Sequence, residues 1–433
     1  MITSTDRVLV PARAVALAMA AGIVLAPLGL TAGGAGAAVP SSQFPSSSAP
    51  SSTSVEPAAA LDRALQHLVD AGATGVVAVV DNGDDQVARV LGAARLDPYR
   101  AARASDPTRV GSITKTFVST AVLQLVGARR IGLDEPIGHR LPGVVPNGKA
   151  ITVRMLLQHT SGLFNYTDDE AFTSDLITHP YRAVTPQQML AVAFAHPPNF
   201  GPGAAWSYSN TNYVVLGLLL EKVTGQPVQA ALDRQIIAPL GLRNTYLALD
   251  GRWRGPHLHG YAPPGLVGNP DYVDLAGWNP SWAGAAGAMV SNPADLGRFY
   301  RALMSGRLLP AAQQRQLTAT IGTGIPGLRY GLGLFSLDTA CGRVWGHDGG
   351  IPGYLTQAFT DRTGTRSAVF ELPTEPDGAI AAGYDAAIEA LACQLLDPSE
   401  RGRRAQRLAQ GRLAMGIGWH QAVASQALTR AGR

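Results

Sequence analysis

Lysine is almost missing from this chain: of 35 basic residues among 433, only Lys115, Lys149 and Lys222 are lysines. Arginine is the default cation, so a position that keeps lysine keeps an amine able to lose its proton, which a guanidinium does not do. Cysteine is rarer still, at Cys341 and Cys393 alone. No His, Cys or carboxylate cluster has metal-ligand spacing, so no metal and no cofactor is expected. No Gly-x-Ser-x-Gly elbow occurs, which argues against an ordinary α/β-hydrolase. Charged residues make up only 15% of the chain while 46% is hydrophobic, enough to bury one large domain or two subdomains.

The charge that is present is unevenly placed. Of the net +4, residues 396–433 contribute +5 through seven arginines against Asp397 and Glu400, and residues 1–38 contribute +1, which leaves the middle at −2. A near-neutral middle excludes a nucleic-acid surface, and no nucleic-acid partner is expected. Arg7 and Arg13 precede an apolar run from Ala14 to Leu30, interrupted by Gly22, Pro27 and Gly29 and followed by the small residues Ala35-Gly36-Ala37. This pattern predicts a cleaved export signal over 1–38 rather than a spanning helix, which needs roughly 20 apolar residues. A secreted chain, extracellular or wall-associated and without a stable membrane span, is the consequence. A Ser/Pro-rich linker follows over 39–57, then one domain over 58–395, then an Arg-rich extension over 396–433 that reads equally as a removable tail, a surface helix or a wall-binding patch. In an oxidising compartment Cys341 and Cys393 suggest a disulfide; two buried free thiols are the alternative.

Within the domain, residues 56–72 have helical spacing, while 74–80 and 86–93 read as strands joined through the turn signal Asp81-Asn82-Gly83. Residues 112–129 form an apolar helical stretch, and from about 115 to 300 helices alternate with Gly/Pro-rich loops. Strands are expected over 330–337, 343–349, 355–361 and 365–372, and a last helix over 380–396. Strands at both ends and helices between them predict an α/β fold: an antiparallel sheet flanked by helices, with a mostly helical domain inserted.

Ser112 and Lys115 lie three apart at the start of the long helix, so they share a helix face. A serine hydroxyl is a poor nucleophile until a base takes its proton, and a buried lysine amine is able to be that base. The start of a helix also offers free backbone N–H groups to a developing oxyanion. Farther along come Tyr208-Ser209-Asn210 and His347-Asp348-Gly349, the latter on an expected strand.

Ser-x-x-Lys, then Tyr-x-Asn, then His-x-Gly, in this order and with the flanks LLQHTSGL (156–163), GPGAAWSYSNTNY (201–213), SWAGAAGAMVSNPADL (281–296) and YGLGL (330–334), resembles the penicillin-recognising serine hydrolases. The likeness spans about residues 60–395 and runs closest to class C β-lactamases and secreted serine D-Ala-D-Ala carboxypeptidases. It implies a β-lactamase/transpeptidase-like fold and a covalent acyl-enzyme on Ser112. It also implies proton transfer shared by Lys115 and Tyr208, a substrate amide held by Asn210, and positive potential and a hydrogen bond near Tyr208 from His347. The oxyanion would meet the backbone N–H of Ser112 and of Gly350, next to Gly349, and Trp282 would wall the cleft. The implied partners are a peptidoglycan stem peptide or another small acyl substrate, and β-lactams, acted on by a monomer. His159 in the HTSG turn reads as structural.

Two departures weaken the carboxypeptidase reading. The third motif of relatives has Thr in the middle and a small or hydroxyl residue after it, where this chain has Asp348 and Gly350, and the preceding strand, LFSLD, lacks the arginine that holds a terminal carboxylate. Asp348 at the cleft mouth would repel such a carboxylate unless it points away. A β-lactamase, an esterase or D-amidase, and a non-catalytic wall-sensing domain therefore stay open.

Overall fold

The computed structural model describes residues 55–83, 85–266 and 269–396; the expected export signal, most of the linker and all but Leu396 of the Arg-rich extension lie outside them. Helix α1 (Val55–Asp70) takes in the last three residues of the expected linker, and its Leu61, Leu65 and Leu68 recur at helical spacing and are buried. It leads into β1 (Gly75–Asp81), β2 (Gln86–Arg95) and β3 (Arg100–Ala101). The Asp81-Asn82-Gly83 turn closes as expected, with Asp81 Oδ1 accepting the Gly83 N–H at 2.9 Å.

The sheet is completed from the other end of the chain by β4 (Ile321–Gly322), β5 (Leu328–Tyr330), β6 (Phe335–Thr339), β7 (Gly342–Ile351), β8 (Tyr354–Thr360) and β9 (Ser367–Leu372). Its order is β3-β2-β1-β9-β8-β7-β6-β5-β4, and every pairing is antiparallel. The stretch expected as one strand over 330–337 is two, because Gly331 and Gly333 turn the chain between them, Gly333 at φ 76°. Helix α1 and the last helix, α8 (Gly378–Leu395), cover one face with a core of Leu65, Phe335, Phe359, Phe370 and Leu391. Strands buried on both faces need a second cover, and the helical residues between β3 and β4 supply it.

At the centre of that cover is α2 (Thr114–Gly127), in which all but three residues are buried, as expected of a helix apolar nearly all round. Around it stand α3 (Ile137–Arg140), α4 (Val153–Gln158), α5 (Asn210–Thr224), α6 (Gly284–Gly287) and α7 (Pro293–Met304). Gly217 of α5 has no room for a side chain, since a Cβ there would lie 2.7 Å from that of Ala285 on α6. Cys341, in the turn between β6 and β7, is bonded to Cys393 of α8 with Cα atoms 5.1 Å apart. Among the described residues no helix is long and apolar enough to cross a membrane.

Candidate active site

The long helix begins two residues later than its sequence pattern suggests. Ser112 sits in a 3₁₀ turn, Gly111–Ile113, that feeds α2. Gly111 (φ 49°) occupies a left-handed conformation that glycine adopts without steric cost, and a Cβ there would lie 2.7 Å from Gly350 N. From the sheet side, a Cβ on Gly349 would lie 1.9 Å from Val110 O and 3.1 Å from Ser112 N. Two glycine-bearing segments thus bring the Ser112 and Gly350 backbone nitrogens together, where the oxyanion pair was expected.

Lys115 points back along the first turn of α2 and is fully buried. Its Nζ lies 2.9 Å from Ser112 Oγ, 2.7 Å from Asn210 Oδ1 and 2.7 Å from the Ala286 carbonyl oxygen of α6. Burial drives its pKa well below the usual lysine range, with the charge of Asp348 opposing. Asn210, the first residue of α5, is fixed in turn: its Nδ2 donates to Thr167 Oγ1 (3.1 Å) and its backbone N–H donates to Asn165 Oδ1 (2.9 Å).

Tyr208 lies just before α5, its ring 4.8 Å from Lys115 Nζ. Burial pushes its phenol well above the ordinary range, the negative charge of Asp348 adds to the shift, and the Ser112 hydroxyl beside it pulls the other way. His347 is buried on β7. Its Nδ1 faces the Asp348 carbonyl oxygen at 2.7 Å, so that nitrogen is the donor, and its Nε2 meets the Tyr330 hydroxyl at 2.9 Å. The expected hydrogen bond near Tyr208 therefore goes to Tyr330 instead, whose ring stands edge-on to Tyr208 with centroids 6.5 Å apart.

Asp348 is buried on β7 with its Oδ1 3.3 Å from His347 Nδ1. Side chains alternate along a strand, so Asp348 shares the face of Val344 rather than that of His347, and it lies across from Gln357, whose Nε2 reaches Tyr384 of α8 (3.3 Å). The Asp348 charge still reaches the site, opposing the downward shift of Lys115 and adding to the upward shift of Tyr208. Trp282 has a half-buried ring packed against the helical core, and its carbonyl accepts from the Tyr166 hydroxyl at 2.7 Å.

His159 is more than a turn residue. It is fully buried at φ 62°, and its ring lies 4.3 Å from that of Tyr208 at 31°. Its Nδ1 accepts from Ser209 N–H and Asn212 Nδ2, both at 3.1 Å, which puts the ring proton on Nε2. Burial, then the nearby charges of Lys115 and His347, hold it neutral. Its left-handed backbone just before Thr-Ser-Gly was the one signal of a special position. Tyr330 carried no signal beyond its YGLGL flank.

Among the described residues one group has metal-ligand proximity, Cys341, Glu389 and Cys393, and its sulfurs are joined to each other. A disulfide sulfur is not a thiolate, so the group offers no ligand set.

This site on this sheet defines a class. The family model described as Beta-lactamase matches residues 61–389, and the chain belongs to that family. It is a serine hydrolase with the β-lactamase/transpeptidase-like fold. Among solved structures it is similar to a D-stereospecific amidohydrolase from Streptomyces sp., at 41% identity and TM-score 0.71 over 77% of this chain and 98% of that one. It is similar at 25% identity and TM-score 0.69 to the D-amino acid amidase of Ochrobactrum anthropi SV3, with the same coverage. Esterase EstB of Burkholderia gladioli is 33% identical over 43% of this chain, a segment that spans 49% of the esterase.

Proposed function

We propose that the chain hydrolyses small acyl compounds through an acyl-enzyme on Ser112, and that amides or esters of D-amino acids are the substrate class. The observation that carries the chemistry is the surrounding of Lys115 Nζ. A neutral amine has two N–H bonds and one lone pair. Asn210 Oδ1 and the Ala286 carbonyl are both acceptors, so they take the two N–H bonds, and the lone pair is left facing Ser112 Oγ. The lowered pKa of Lys115 and the raised pKa of Tyr208 divide the labour: the amine is the resting base and the phenol keeps its proton.

In acylation the Ser112 proton passes to Lys115 Nζ as Oγ bonds to the acyl carbon. The oxyanion is met by the N–H groups of Ser112 and Gly350, and Tyr208 hands a proton to the departing amine or alcohol while recovering one from Lys115. Water then attacks the ester by the reverse relay, leaving the acid and free Ser112.

Substrate class rests on charge. A carboxypeptidase needs a cation for the terminal carboxylate. Here β6 has no arginine, Arg343 is paired with Asp338 at 2.7 Å, and the His347 ring is engaged by Tyr330 and its neighbour's carbonyl. An uncharged amide or ester leaving group needs no such partner, and the likeness to a D-stereospecific amidohydrolase supports the same reading. The disulfide suits an exported protein, and export remains part of the proposal. The deciding experiment offers D- and L-amino acid amides, D-amino acid esters and D-Ala-D-Ala peptides to wild type and to Ser112→Ala, with a fluorescent penicillin as covalent probe. Faster turnover of D-amides or D-esters than of the peptide, lost in Ser112→Ala, is the expected result. Preferential release of D-alanine from the peptide would restore the carboxypeptidase, and no turnover with no adduct would leave a non-catalytic domain.

A further inference from the structure

At the opposite end of α2 from Ser112, roughly 20 Å away at 1.5 Å per residue, Arg130, His139, Arg140 and Lys222 line a cavity of about 340 Å³. That volume lies within the range of small-molecule sites. The basic residues gather there because the C-terminal ends of α2, α3 and α5 converge, and cations are favoured at the negative ends of helices. The hydrogen bonds show that this accounts for only part of the cluster. The Arg130 guanidinium donates to the Val223 carbonyl at the end of α5. The Arg140 guanidinium donates to the Arg130 carbonyl at 2.9 Å and pairs with Glu135 at 2.8 Å. Two anchored arginines thus satisfy the carbonyls and the one paired acid, and both keep further N–H donors.

Lys222 is what this accounting does not explain. It is exposed, lines the cavity, and makes no hydrogen bond or ion pair among the described residues. In a chain that writes 32 of its 35 basic residues as arginine, one lysine serves Ser112 and another stands here. Fork-shaped, pre-anchored guanidiniums beside a free ammonium suit an oxyanion with several acceptor oxygens and more than one charge. A phosphate ester, at about −1.5 to −2 near neutral pH, meets that description and a single carboxylate does not.

We propose that this cavity binds a phosphate group, carried by a soluble phosphorylated molecule or by a lipid headgroup, at a site separate from the acyl chemistry. The test uses the whole chain and titrates inorganic phosphate, then glycerol phosphate, against chloride at matched ionic strength, followed by calorimetry and melting temperature. Sedimentation with vesicles containing phosphatidic acid runs in parallel. One-to-one binding of the soluble anions, weakened at least tenfold in Lys222→Glu and in Arg130→Ala and unchanged in Ser112→Ala, is the expected outcome. Because Lys222 makes no internal bond, Lys222→Glu is expected to fold as wild type, and an unchanged melting temperature without ligand checks this. Sedimentation lost in Lys222→Glu, with no binding of soluble esters, assigns the phosphate to a lipid. Phosphate behaving as chloride with no vesicle binding, or either substitution binding as wild type, overturns the proposal.

Discussion

The His159 ring lies against the Tyr208 ring with centroids 4.3 Å apart, while its Nδ1 holds the Ser209 N–H that follows Tyr208. One side chain therefore fixes both the plane of the phenol and the backbone next to it. Replacing it with asparagine keeps a residue that tolerates the left-handed backbone and offers an acceptor, but removes the ring. His159→Asn is expected to lower the acylation rate on the order of 10²-fold, the cost typical of a misplacement of about 1 Å, with KM within about twofold. Single-turnover kinetics with a chromogenic ester provide the check, and an unchanged acylation rate would reduce His159 to a structural residue.

Lys115 makes the reaction and the fold depend on pH in a stated direction. Its folded-state pKa lies well below the ordinary lysine value of 10.5 because burial disfavours the ammonium. Acylation should rise with pH as the amine loses its proton. Between the folded-state pKa and 10.5 the unfolded chain binds the extra proton, so stability also rises with pH, by up to about 1.4 kcal/mol per unit from this group. In Lys115→Arg acylation should fall at least 10³-fold, since the guanidinium does not release its proton. Stopped-flow acylation of the variant beside wild type decides it; a loss under tenfold excludes Lys115 as the base.

Glu371 carries the opposite dependence. It is fully buried on β9 beside Thr356 of β8, and neither carboxylate oxygen has a hydrogen-bond partner among the described residues. Burial, reinforced by the charge of Asp106, raises its pKa well above 4.5. A raised carboxyl pKa contributes stability that is fully present below the unfolded value and is lost as pH rises through the folded one. Wild type should lose up to about 1.4 kcal/mol per pH unit in that window relative to Glu371→Gln, which has no proton to lose. Urea denaturation of both at several pH values measures the gap, and parallel curves would sink the assignment.

The Cys341–Cys393 bridge spans 52 residues of sequence. By the chain-entropy account it contributes up to about 4 kcal/mol, so Cys393→Ala should melt on the order of 10 °C lower. Because the bridge ties a turn to the back of α8, the folded variant should keep its acylation rate. A melting temperature within about 2 °C of wild type would show that α8 is held by its core contacts alone.

The reacting groups were legible because their chemistry constrains residue type: an amine three residues from a serine, a phenol two before an amide, a histidine before glycines. Long elements were legible through periodicity, as α1, α2, β1, β8 and β9 show. Two-residue strands such as β3 and β4 carry too few side chains to show a period. The break between β5 and β6 hides in Gly331 and Gly333, which read as strand until the turn is seen. Which way Asp348 and Trp282 face was not legible for one reason: the direction of a side chain depends on strand register and on the packing partner, and neither is written locally. Tyr330 on β5 meets His347 on β7 across the intervening β6, a relation set by strand pairing rather than by spacing.

The contact of Gly111 with Gly349 and Gly350 has a further consequence. Ser112 belongs to the helical half of the molecule and the second oxyanion donor belongs to the sheet half, so neither half holds a working site. Ester turnover therefore reports the docking of the two halves to within fractions of an ångström, and a chain that has formed its secondary structure without closing that seam would be silent.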